Sequence, residues 1–144
     1  MYTLTSRDYL KCAHSLKGEI FGPAQLMHVI TYEVEVTFET EQLDEYGLIV
    51  DFASAQSGLS EVLSSMNFKN LDDHPDLRGK NTTTEFLCKF IHGAVTRKVE
   101  GQYGGLMRVT LRESAVAWTS FEADVRMRGK KAGKKSPSRK SKGR

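Results

Sequence analysis

Between Thr31 and Phe38 the chain reads Thr-Tyr-Glu-Val-Glu-Val-Thr-Phe, a polar and apolar alternation that suits a strand with one buried face and suits no helix. Tyr, Val, Thr and Phe are also the residue types that pack well on a pleated surface. Such a strand cannot stand alone: its apolar face needs a covering layer and its edges need partners. His28 opens the run. A weaker pattern, Tyr9-Leu10-Lys11-Cys12-Ala13-His14-Ser15-Leu16, carries His14. If the two segments pair antiparallel, their imidazoles come to the edges of neighbouring strands, where two nitrogens can share one zinc ion at bonds of about 2.0–2.1 Å. Histidines that hydrogen-bond in a core or at a surface fit the same residues.

At 144 residues the chain is long enough for one domain with a core that needs no staples. Its two cysteines, Cys12 and Cys88, make no disulfide scaffold. No signal-peptide pattern opens the chain and no apolar run approaches the roughly 20 residues of a membrane span, so a reducing, cytoplasmic setting is expected. The charge is unevenly placed. All 18 acidic residues and 11 of the 21 basic ones lie in residues 1–125, a net −7, whereas residues 126–144 carry +10. The expected organisation is therefore a folded domain over 1–125 and a basic tail over 126–144. With no acid and one large apolar residue, Met127, the tail cannot offset its ordering entropy and is expected to be disordered. It suits non-specific contact with nucleic-acid phosphates, docking on the acidic body, or solvation alone. Without aromatic residues it offers no stacking platform for bases.

Along the body, the acidic segment from Glu41 to Gly47 reads as a hairpin or loop, and Leu48-Ile49-Val50 as a short apolar strand or strand-like entry. Asp51 or Ser54 then caps a helix with the stripe Leu59, Val62, Leu63 and Met66, ending near Asn67. In the polar loop from Asn70 to Leu77, Pro75 disfavours helix at His74. Thr82-Thr83-Thr84-Glu85 opens a second helix, with Phe86, Leu87, Phe90, Ile91 and Val95 as its buried stripe. A Gly-rich turn from Gly101 to Gly105 precedes two more strands, Leu106 to Leu111 and Val116 to Phe121. Two strands, two helices and two strands define an α+β chain.

These pieces, in this order, resemble the 6-pyruvoyltetrahydropterin and 6-carboxytetrahydropterin synthase family from about Tyr9 to Glu122. Ala13-His14 is similar to the family's first zinc-ligand segment, and His28 to Val36 to its strand His-Gly-His-Asn-Tyr-x-Val-x-Val. Gly47-Leu48-Ile49-Val50-Asp51-Phe52 resembles Gly-Met-Val-x-Asp-Phe, and Asp73-His74-Pro75-Asp76-Leu77 resembles Asp-His-x-x-Leu. Thr83-Thr84-Glu85 matches Thr-Thr-Glu, and Leu111-Arg112-Glu113-Ser114 resembles Val-x-Glu-Thr. The resemblance implies the tunnelling fold, a four-stranded antiparallel sheet with two helices on one face, whose subunits join their sheets into an oligomeric barrel. It implies a trimer or hexamer with active sites between subunits. The implied chemistry is that of a lyase on dihydroneopterin triphosphate or a related reduced pterin, using a three-histidine zinc, a thiolate and an Asp-His pair. On this resemblance His14 and His28 are zinc ligands, and Asp73 and His74 move protons. Glu113 is a buried carboxylate that grips the amino-pyrimidinone edge of the pterin. Thr83, Thr84 and Glu85 would line the pterin, although a helix cap explains them equally.

The departures fall together. Ile30 stands where the family has a further histidine, and Ala24 stands four residues before His28, where its thiol is expected. Cys12 is one replacement ligand: in a strand it shares a face with His14, about 6.6–6.8 Å along the chain, giving a His14, His28 and Cys12 set. A small buried hydrophobe is the other reading of Cys12. His92 and Cys88 read as structural. Three functions follow: a pterin lyase working through His74 and Asp73, a non-catalytic pterin- or purine-binding paralogue that keeps Glu113, and a nucleic-acid-associated protein acting through the basic tail.

Overall fold

The computed structural model describes residues 1–127. The expected disordered tail, but for Arg126 and Met127, lies outside the described residues. Strands β1 (Tyr2–His14) and β2 (His28–Thr40) are followed by helices α1 (Phe52–Ser64) and α2 (Thr84–Val99), then by β3 (Gly105–Ser114) and β4 (Ala117–Val125). The strands form one antiparallel sheet in the order β1-β2-β3-β4. Among the described residues no helix is long and apolar enough to cross a membrane.

The alternation in β2 sets the two faces. Tyr32, Val34, Val36 and Phe38 are buried with Leu10 and Cys12 of β1 and Met107, Val109 and Leu111 of β3. Helix α1 covers them with Ala55, Leu59, Val62 and Leu63, and α2 with Leu87, Cys88, Ile91, Val95 and Val99. Each fully buried large aliphatic or aromatic side chain contributes about 1.5–3 kcal/mol. The other face carries the polar half of the alternation. Arg7 and Arg112 pair with Glu33 and Glu35, and Arg108 bridges Glu39 and Glu122.

Two expectations are corrected. Strand β1 begins at Tyr2, well before the weak signal at Tyr9, because its inward face includes Ser6, whose hydroxyl bonds the Gln56 side chain and interrupts the apolar period. Leu48-Ile49-Val50 forms no strand. Asp44 draws this segment into a closed turn, its N–H bonding the Leu48 carbonyl at 2.9 Å and its carboxylate accepting the Leu48 N–H at 2.9 Å. The caps resolve to Asp51, which accepts the Ser54 N–H at 3.0 Å, and Thr83, which accepts the Phe86 N–H at 3.1 Å.

The chain after α1 is stitched to the outer edge of β1. Asn67 accepts the Lys11 N–H and donates to the Tyr9 carbonyl, while Phe68 and Lys69 bond Lys11 and Ala13 through the backbone. Asp72 accepts from the N–H and hydroxyl of Ser15, which ties the loop carrying His74 to the end of β1. At the opposite end of the sheet, the Tyr103 hydroxyl accepts the Glu39 N–H at 2.9 Å and lies 2.6 Å from the carbonyls of Glu39 and Leu106. A Cβ at Gly105 would come within 2.7 Å of that hydroxyl, so the clamp needs glycine there. Replacing Tyr103 by Phe removes the hydroxyl that the part-buried Glu39 N–H donates to. Urea denaturation is expected to show a loss of about 1–3 kcal/mol, and an unchanged midpoint would mean that water replaces the hydroxyl.

Candidate functional site

A cleft of about 220 Å³ opens where β1, β2 and the start of α2 meet, lined by His14, Leu16, Phe21, Ala24, His28, Ile30, Tyr32, Thr83, Thr84, Glu85 and Glu113. The pairing of β1 with β2 builds one end, since His14 and His28 are register partners. Their rings lie 4.6 Å apart between centroids. A 3₁₀ segment, Glu19–Gln25, forms a wall and is held by the Leu16 N–H on the Ala24 carbonyl at 3.0 Å. Asn81 fastens the approach to α2 by exchanging two hydrogen bonds with the Lys17 backbone, at 2.7 and 2.9 Å.

The other end is polar. Between Arg112 and Ser114 the β3–β4 register slips, leaving Glu113 without a partner on β4. Such a bulge re-aims a side chain, here toward the first residue of α2. The Thr84 hydroxyl donates to Glu113 Oε2 at 2.7 Å, so the Tyr32 hydroxyl, 3.2 Å from Thr84 Oγ1, donates in turn. Burial raises the Tyr32 pKa, which keeps the phenol protonated for that role. The carboxylate also faces the positive end of the α2 dipole. Glu113 is exposed at the cleft mouth, where the resemblance implied a buried carboxylate. Its Oε1 has no protein partner among the described residues, leaving acceptor capacity for a ligand.

The imidazoles are oriented like ligands. His28 Nδ1 donates to the Leu26 carbonyl at 2.9 Å, and Thr82 engages His14 Nδ1 at 2.9 Å, leaving both Nε2 atoms. Burial and the neighbouring His28 lower the His14 pKa, favouring the neutral, ligating form. The third donor is missing: Ile30 lines the cleft between His28 and Tyr32 on the same strand face. Cys12 packs in the core with its thiol pKa pushed up to about 11 by burial, against the thiolate a metal needs. Among the described residues no three His, Cys, Asp or Glu side chains form a group that could hold a metal ion. His14, His28 and Cys12 thus do not make the expected set, and the residues present do not fit a resident three-ligand zinc.

Asp73 and His74 lie elsewhere, in a depression of about 760 Å³ that they share with Ser65, Lys69, Asn70, Pro75 and Asp76. No lining residue is common to it and the cleft. Among the described residues Asp73 and His74 share no hydrogen bond. Asp73 accepts from Asn70 at 3.4 Å, whereas the His74 ring bonds Ser65 and the Asp76 N–H. His92 and Cys88 are structural, bonding the carbonyls of Met107 and Thr119. Tyr32 and Thr82 join the site from outside the residues the motifs point to. Tyr32 shares the inward face of β2 with His28, and Thr82 begins the threonine run that read as a helix cap.

A sheet of this order with two helices on one face, and a heterocycle-sized cleft at its edge, is the architecture of a tunnelling-fold protein. A family model described as 6-pyruvoyl tetrahydropterin synthase matches residues 3–124, and the chain belongs to that family. The solved 6-pyruvoyl tetrahydropterin synthase of Caenorhabditis elegans superposes with a TM-score of 0.74 at 20% identity, covering 85% of this chain and 95% of that one. The Plasmodium vivax synthase gives 0.70 at 14% identity, with coverage of 86% and 98%. An uncharacterised Wolinella succinogenes protein gives 0.56 at 12%, with coverage of 83% and 97%. Comparison with curated proteins finds no match.

Ile30→His places a third imidazole on the strand face of His28. Competition with a chromophoric chelator is expected to show zinc affinity rising by at least the ~10–100-fold that outer-shell partners alone command. Equal affinity in both proteins would show that position 30 does not reach the metal.

Proposed function

We propose that the chain binds a reduced pterin, dihydroneopterin triphosphate or a close relative, and acts on it as a lyase of pterin biosynthesis. The observation that carries this reading is the Tyr32–Thr84–Glu113 relay at the start of α2. A carboxylate with one oxygen held by protein and the other left open suits the paired N–H donors of an amino-pyrimidinone ring. Thr83 and Glu85 flank the ring, and the reacting substituent extends over Ile30 toward His14 and His28. Zinc at that pair, with two imidazoles and no third ligand, is a weak or substoichiometric addition.

The separation of the His74 depression from the cleft supports a site completed by a second copy, whose own Asp73-His74 loop reaches the substrate. Strand β4, paired on one side only, supplies an edge for joining sheets into a trimeric or hexameric barrel. The two free, buried thiols support a reducing, cytoplasmic setting. A non-catalytic, pterin- or purine-binding role is the second reading, and Ile30 and Ala24 in the cleft favour it.

Titration with a fluorescent pterin is expected to show Glu113→Gln losing ~10- to 150-fold in affinity, the worth of a charge-assisted hydrogen bond. An unchanged affinity in the folded variant would remove the pocket assignment. Product analysis on dihydroneopterin and its triphosphate separates the readings: binding without product leaves the non-catalytic one. Light scattering at micromolar concentration is expected to give a trimer or hexamer, and the mass of a single chain would remove the shared site.

A further inference from the structure

We propose that His74 acts as a neutral hydrogen-bond donor through Nε2–H, not as a base, and that the backbone N–H of Asp76 sets this state. The role rests on the reading above that the Asp73-His74 loop takes part in pterin chemistry, whereas the state of the ring follows from its own hydrogen bonds. The Asp76 N–H donates to His74 Nδ1 at 3.1 Å, so Nδ1 is an acceptor and carries no proton. At the other side of the ring, Nε2 lies 3.5 Å from Ser65 Oγ. That hydroxyl gives its proton to the Val62 carbonyl at 3.1 Å and can only accept from His74. The Asp76 N–H sets the tautomer, and the Ser65 contact fits it.

Two consequences follow. A histidine oriented by an aspartate holds its proton on Nδ1 and uses Nε2 as base; here Asp73 is turned to Asn70 and the proton sits on Nε2. Ser65 is likewise no nucleophile, since Nε2 cannot take its proton. What the loop can offer is a neutral imidazole N–H, the kind of group that polarises a carbonyl or steadies an alkoxide while keeping its proton. The 3.5 Å contact with Ser65 is long, so exchange for a substrate oxygen costs little. The turn is built for this. The His74 carbonyl accepts the N–H groups of Leu77 and Arg78, at 3.0 and 2.9 Å, which leaves the Asp76 N–H for the ring.

Long-range proton–nitrogen NMR on the labelled full chain reads the tautomer, with His74→Gln assigning the signal among the four histidines. The expected result is Nε2–H at neutral pH in the wild type and unchanged in Asp73→Asn. A ring protonated on Nδ1, or a switch in Asp73→Asn, would overturn the proposal. Binding reads the donor. His74→Ala is expected to weaken a 6-acyl dihydropterin by about 3- to 10-fold, the worth of one hydrogen bond, and to leave 6-methyl dihydropterin unaffected. Gln, which keeps an N–H, should restore most of the loss; equal losses in Ala and Gln would contradict donation. Failure of the pterin reading shows separately, as no binding of either compound by the wild type, and the proposal then stands or falls on the tautomer.

Discussion

The antiparallel pairing of β1 with β2 is the contact on which the rest of the molecule depends. It runs from Tyr2↔Thr40 to His14↔His28 without a break. Because strand side chains repeat every two residues, a slip of one would turn Tyr32, Val34, Val36 and Phe38 out to solvent and Glu33 and Glu35 into the core. The buried face and the cross-strand Arg-Glu pairs on the opposite face specify the same register. The imidazole pair at the end of the ladder is a by-product of that register, which sets His14 against His28.

The chemistry of the cleft comes from two breaks in regular structure placed side by side. Helix α2 starts with N–H groups that its own turns do not satisfy, and β3 has a bulge that lifts Glu113 out of its ladder. Each alone is ordinary. Together they put a carboxylate beside a helix dipole and a two-hydroxyl relay, holding it ready for a ligand with paired donors. Ile30 and Ala24 make the far end of the same cleft apolar between this carboxylate and the histidines.

The loop bearing Asp73 and His74 shows how a shared motif can hide a different arrangement. The Asp-His dipeptide suggested an oriented base, yet neighbouring residues in sequence do not bond simply because they adjoin. In this loop the backbone turn reaches the imidazole first, through the Asp76 N–H. Asn70, which caps the short turn at Leu71–Asp73, takes Asp73.

The order of elements, the buried face of β2, both helix stripes and the caps at Asp51 and Thr83 were legible in the sequence, because each rests on a local period or a side chain reaching its own backbone. The motifs singled out His14, His28, Thr83, Thr84, Glu85 and Glu113, but that they line one cleft, apart from Asp73 and His74, is decided by the fold. Tertiary structure decided what depends on distant segments. The full reach of β1 was masked by Ser6, which is polar yet faces inward to meet Gln56 from α1. The roles of Tyr32 and Thr82 arise from hydroxyls meeting partners 52 and 68 residues away. Cys12 belongs to the core and not to the histidines because the sheet face it shares with His14 continues under the helices. Periodicity tells which face a residue takes; only the folded chain decides what it meets there.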